Sequence, residues 1–196
     1  MRRIEFFIEE KKSHSCKNVF GLCDDENNLP AYIDEDVTNK ESKWIGIVCN
    51  TSKKEIEFYP IDHCVELLRD DNTPAQRCEG ILKYDENRMV FTELKNRKII
   101  PSSWLKDAED QIIETMSFFF DNYDLQLFNV KSWICNKQLT NQNYFQQIQE
   151  FKEKTKQRFG GRGFVLCINN TSLRTSCVEA FGGRGFVLCI NNSFEI

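Results

Sequence analysis

The stretch 78-CEGILKYDENRMVFTELK-95 decides the fold, and it reads as two short strands joined by a tight polar turn. Cys78–Tyr84 and Met89–Lys95 hold the apolar, strand-forming residues, and Asp85-Glu86-Asn87 between them holds the turn formers. A three-residue turn that sets Tyr84 opposite Arg88 also sets Ile81 opposite Phe91 and Glu79 opposite Glu93. Residues two apart on a strand share a face, so Lys95 joins the glutamates. That face is apolar in its middle and carries two carboxylates and an amine at one end. A four-residue turn would instead move Glu79 to the other face.

Directly opposed side chains have Cβ atoms roughly 5 Å apart, and like charges so placed repel. Two readings are open at this point. One is an exposed hairpin end with ordinary surface charges. The other is a carboxylate pair offset by a cation or a shared proton; Mg²⁺ is commonly held by one or two carboxylates together with substrate phosphate.

An acidic residue on one strand, Glu-x-Lys on the next and an amphipathic helix after it resembles the PD-(D/E)XK nuclease superfamily. The motif stands here as Glu79…Glu93-Leu94-Lys95 with Gln111 in the following helix, and the resemblance spans roughly residues 61–170. Cys78-Glu79 stands where the superfamily carries Pro-Asp. The resemblance implies an α/β fold: a central mixed β-sheet flanked by helices, a restriction-endonuclease-like core. It implies Mg²⁺- or Mn²⁺-dependent hydrolysis of DNA phosphodiesters, leaving a 5′-phosphate. Glu79, Glu93 and the Leu94 carbonyl would hold the metal, Lys95 would position water or balance phosphoryl charge, and Gln111 would orient Lys95 or the phosphate. Glu66, on an expected short helix at 62–68, is the candidate for a further acidic residue of the site; the ordinary alternative is a glutamate facing water. Gln111 likewise is either turned toward the strand or a surface residue. The competing functional class is a non-enzymatic nuclease-fold protein that binds or interacts through a degenerate site.

The rest of the chain fits one domain: an N-terminal antiparallel β extension over 1–60, a nuclease-like core over 61–170 and a tail over 171–196. Strands are expected at 4–8, 44–49 and 55–59, the last two as a hairpin. The run Cys23-Asp24-Asp25-Glu26 and the run Asp34-Glu35-Asp36 read as one solvated loop, without the spacing of an EF-hand. A long helix follows Pro101, with Ser102-Ser103 as cap and Trp104, Leu105, Ala108, Ile112, Met116 and Phe119 at helical spacing. A third core strand is expected over 127–135 and a second helix over 141–159, with Tyr144, Phe145, Ile148, Phe151 and Thr155 on one side.

No apolar run approaches the ~20 residues of a membrane span, and the acidic start lacks a signal peptide's apolar core. Nine cysteines without a Cys-x-x-Cys pair fit a reduced cytoplasmic protein. His14 and His63 lie too far apart in sequence to suggest a histidine metal site. The net charge of −4 is unlike a nucleic-acid binder, although Lys95, Arg97, Lys98 and Lys106 form a local basic rim. Finally, Phe159–Asn170 recurs residue for residue as Phe181–Asn192. The first copy is expected to form an edge strand at 164–168. The second is expected to be dispensable and a route to self-association, because an unpaired apolar strand is a pairing template.

Overall fold

The structure, a computed structural model, describes residues 3–25, 29–40, 42–50, 53–96, 103–137, 144–168 and 193–195. Its elements are β1 (Ser13–Ser15), β2 (Val19–Cys23), β3 (Tyr32–Asp34), β4 (Gly46–Cys49), β5 (Ile56–Pro60), β6 (Gly80–Tyr84), β7 (Arg88–Lys95), α1 (Ser103–Asn122), β8 (Asn129–Asn136), α2 (Phe145–Arg158), β9 (Val165–Ile168) and β10 (Ser193–Glu195). The chain is α/β. A six-stranded mixed sheet runs β1-β5-β6-β7-β8-β9, antiparallel from β1 to β7 and parallel from β7 to β9. The helices α1 and α2 make the two parallel crossovers that this pairing requires. A second sheet holds β2 antiparallel to both β3 and β4, with β10 parallel to β4.

The hairpin has the expected register, with Tyr84 against Arg88 and Ile81 against Phe91. Asp85 takes the left-handed backbone that its turn needs, at φ 55°. Alternation along β7 feeds two cores. Met89 and Phe91 pack with Ile81, Ala108, Ile112, Met116 and Phe119 against the helices. Val90 and Leu94 pack with Phe58, Leu82 and Trp133 against Phe20, Leu22 and Val48 of the small sheet. Gly46 lets the sheets approach: a Cβ there would stand 3.0 Å from both the Trp133 ring and Cys135 Sγ.

The layer order is therefore helices, large sheet, small sheet. Both helices lie on one face of the large sheet, and the small sheet covers the other. The expected hairpin of 44–59 is corrected. β4 and β5 belong to different sheets and share the core between them through Val48, Ile56 and Phe58. Asn50 makes this change of layer: its side chain donates to Lys54 O at 2.7 Å and accepts from Lys54 N–H at 3.1 Å, closing a turn.

Residues 4–8 form no strand and join neither sheet. Phe6 and Phe7 spend their contacts on Phe119 and Tyr123 of the helix layer, and Ile4 N–H donates to the Asn122 side chain at 3.0 Å. The acidic segment is not all loop, since β2 ends at Cys23 and Tyr32–Asp34 is β3. No helix forms over 62–68: residues 62–64 are a turn and Leu68 bridges to Pro74, and His63 sits at φ 60°, which no right-handed helix admits.

The stripe of α1 is buried as expected, while Phe145 on α2 is 63% exposed and stands apart from buried Tyr144, Ile148, Phe151 and Thr155. β9 is the sheet-edge strand expected of the first repeat copy. The second copy, the expected cap residue Ser102 and the rim residues Arg97 and Lys98 lie outside the described residues. None of the seven described cysteines is in a disulfide. Among the described residues no helix is long and apolar enough to cross a membrane.

Candidate functional site

The site lies on the helix side of the large sheet, where β6 and β7 part. Their ladder ends at Gly80 opposite Thr92. One residue further out, Glu79 N–H donates to Glu93 Oε2 at 3.2 Å, and Glu79 O accepts from Ile61 N–H at 2.9 Å. Glu93 is fully buried and Glu79 half-buried. The Lys95 ammonium, two residues along the same face, stands against Glu93 Oε1.

Helix α1 closes the site from above. Thr115 Oγ1 accepts from Cys78 N–H at 2.8 Å and donates to Gln111 O at 2.8 Å, fastening the start of the hairpin to the helix. That places Gln111 so that its Oε1 accepts from Lys95 Nζ at 3.1 Å, while its Nε2 donates to Arg77 O at 3.1 Å. Gln111 is thus turned toward the strand. The structure brings Glu79, Glu93, Lys95 and Gln111 together. The Leu94 side chain is buried in the opposite core, so only its main chain can serve this face.

Glu66 is elsewhere. It is exposed and lines a separate groove with Arg69 and Glu114, because the non-helical chain over 62–68 aims it away. The acidic neighbours that the site does have are Asp62 and Asp24, and both carboxylates raise the proton affinity of Glu79. Asp62 is fixed by Arg77 Nε at 3.2 Å and His63 Nε2 at 3.2 Å. The sequence pattern pointed to neither, since Asp62 falls at the start of the expected 62–68 helix and Asp24 in a run read as solvated. The fold gathers them from far apart in the chain, and only the bias toward acidic residues hinted at it.

No family model, curated protein or solved structure matches this chain. The chemistry of the site therefore rests on its own residues. Burial pushes the Glu79 carboxyl up to about 9, with repulsion from Glu93 next in importance. Burial likewise pushes Glu93 up to about 7, against the opposing pull of the Lys95 ammonium and the Glu79 N–H. The pair thus holds a proton at neutral pH, Glu79 keeping it the longer. Glu93 Oε1 is buried and held by the Lys95 ammonium. Two carboxylates share that one ammonium, so with both ionised the site is short of one positive charge, which a further cation would supply. Among the described residues no group of three or more His, Cys, Asp or Glu side chains could hold a metal ion; the site itself has the two carboxylates of Glu79 and Glu93.

Proposed function

We propose that the chain is a divalent-cation-dependent phosphodiesterase of the PD-(D/E)XK type, acting on DNA, with a restriction-endonuclease-like core. The observation that carries this reading is buried Glu93 beside half-buried Glu79, two carboxylates against the one Lys95 ammonium, with Gln111 on the same face. Two carboxylates fit Mg²⁺ or Mn²⁺, whose remaining positions go to water and substrate phosphate. Glu79, Glu93 and the Leu94 carbonyl would hold the ion. When bound, it supplies positive charge to the scissile phosphate and lowers the pKa of a bound water.

The remaining work falls to the protein. Lys95 donates to a phosphoryl oxygen and balances the charge that grows there in the transition state. Gln111, anchored on the Arg77 carbonyl, keeps the Lys95 amine from following Glu93 alone. Asp62 and Asp24 add negative potential that favours a cation over a second lysine-like contact. Hydrolysis would leave a 5′-phosphate.

One observation favours a second reading. Lys95 already neutralises Glu93 in part, and Glu79 keeps a proton, so the pair can rest without a metal. In that state the protein would be a non-enzymatic nuclease-fold binding module. A cleavage assay separates the two. Purified protein should nick supercoiled DNA with Mg²⁺ or Mn²⁺ and stop with chelator, and both Glu79→Gln and Lys95→Ala should be inactive. No cleavage by the wild type, with DNA still bound, would decide for the binding module. Cleavage undiminished in both variants would overturn the site.

A further inference from the structure

The segment Phe159–Ile168 fills its slot through nearly every residue, and the slot is built by parts of the chain outside it. Phe159 and Phe164 pack on Phe120 of α1 with ring centroids 5.4 and 5.7 Å away. Gly160 and Gly161 turn the chain at φ +61° and +88°, backbone that disfavours any side chain. Arg162 donates to Leu125 O at 2.7 Å and Phe128 O at 3.3 Å, clamping the loop between α1 and β8. Gly163 passes so close to α2 that a Cβ would stand 2.9 Å from both Lys152 Cγ and Lys156 Cγ. Phe164 N–H donates to Thr155 Oγ1 at 2.9 Å, and Leu166, Cys167 and Ile168 are buried beside β8.

Each of these residues has its counterpart in the second copy: Phe181, Gly182, Gly183, Arg184, Gly185, Phe186, Leu188, Cys189 and Ile190. A hydrophobic strand repeated by itself would match only the sheet. Here the aromatic pair, the glycine turn and the arginine clamp are repeated with it, in the same spacing. The second copy carries everything the slot reads.

We propose that the slot beside β8 accepts either copy, and that residues 181–190 of the same chain replace residues 159–168 in a minor register. The side-chain contacts are equal by identity, while the first copy alone continues α2 and closes its end with the Phe159 N–H to Thr155 O and Gly161 N–H to Lys156 O bonds at 2.9 and 2.8 Å; beyond those two bonds the balance is set by chain connectivity. In the major register six residues, 159–164, join α2 to the strand; in the minor register 28 residues, 159–186, do so. Loop-closure probability falls as roughly the 3/2 power of length, which favours the first copy by about tenfold. The slot is thus an intramolecular exchange site whose occupant is a segment of this chain. The exchange extrudes the first copy while leaving α1, α2 and β8 in place.

The test uses the full chain and three variants. Phe164→Asp/Leu166→Asp spoils the first copy, Phe186→Asp/Leu188→Asp the second, and the quadruple variant both. The two cysteines report occupancy: Cys167 is buried in the slot, and Cys189 takes that position after exchange. In wild type Cys167 should alkylate slowly. Spoiling the first copy should speed Cys167 and slow Cys189 at least tenfold relative to wild type, leave a cooperative melt and keep the protein monomeric. Spoiling the second should change neither the melt nor Cys167. The quadruple variant should lose the cooperative melt.

A milder pair guards against a gross folding defect: Arg162→Ala should lower Tm less than Arg162→Ala/Arg184→Ala. The proposal is overturned if spoiling the first copy unfolds the chain as fully as the quadruple variant does. It is equally overturned if Cys189 stays fast in that variant, if Cys189 is protected only in a dimer, or if the two arginine variants melt alike.

Discussion

Two buried glutamates in this protein each meet a lysine, and the contrast between them isolates what makes a site. Glu109 on α1 pairs with Lys154 on α2 at 2.8 Å; its own side chain is buried, but the lysine is 40% exposed. Glu93 pairs with Lys95, whose side chain is 13% exposed. Burial raises the proton affinity of both glutamates. The first pair is a clamp between two helices, reached by water and complete in itself. The second shares its pocket with another carboxylate and a glutamine fixed at both ends. A Glu–Lys contact is ordinary; a second buried carboxylate beside it is not, because the two can keep their charge only with outside help.

The sharpest way to break the comparison is to remove each lysine. Lys95→Met should lower DNA cleavage by about 10²-fold or more, the usual scale for losing one charge-stabilising donor in a transition state. Lys154→Met should leave the cleavage rate unchanged. Equal losses in the two variants would put Lys95 in the same structural role as Lys154.

Next comes the pH dependence of stability. Glu79 and Glu93 ionise near 4.5 in the unfolded chain and well above it in the fold. Their contribution is therefore fully present below about pH 4.5. It is lost as the pH rises through about 7 and then about 9, because the unfolded state releases the protons first. Tm should fall from pH 5 to pH 9, and Glu79→Gln should flatten the upper part of that fall. Thermal melts across that range check it, and a flat wild-type profile would remove the carboxylate pair from the account. Added Mg²⁺ should restore Tm at pH 8 in wild type but not in Glu79→Gln, since metal binding needs the deprotonated ligand.

Gln111→Leu sharpens the comparison further. It frees Lys95 and leaves Arg77 O without its donor, so cleavage should drop roughly tenfold and stability by about 1–3 kcal/mol. Gln111→Glu, which still accepts from Lys95, should recover part of the rate. The smallest effect on cleavage belongs to the helix clamp. Lys154→Met leaves the buried Glu109 carboxyl without its partner, so its cost, about 1–3 kcal/mol, should show only in a denaturant titration.

How much of this was legible follows from the physics of each element. The hairpin register was readable because turn residues and strand formers separate cleanly over 78–95, and the same register put Glu79, Glu93 and Lys95 together. Helix α1 was readable from its stripe, and Gln111 at the stripe's border faced the strand as one of its two readings allowed. The layers were not readable. β6 and β7 are apolar on both faces, so their pattern does not say whether a helix or a sheet covers each side. Nor were the short strands β1 to β3, whose Ser13-His14-Ser15 and Tyr32-Ile33-Asp34 carry no alternation to detect. Asp62 escaped because its place depends on a left-handed His63 and a tertiary contact with Arg77, neither of which leaves a local pattern.

The most direct test of the central claim is to watch the two carboxylates titrate. With glutamate carboxyl carbons labelled and Glu79→Gln and Glu93→Gln used for assignment, NMR should show Glu79 and Glu93 ionising well above the other glutamates of the chain. Saturating Mg²⁺ should move both midpoints down toward the ordinary range, while Glu109 stays unmoved. If Glu79 and Glu93 titrate near 4.5, or if Mg²⁺ leaves their midpoints where they were, the pair is not a cation site and the proposed chemistry fails with it.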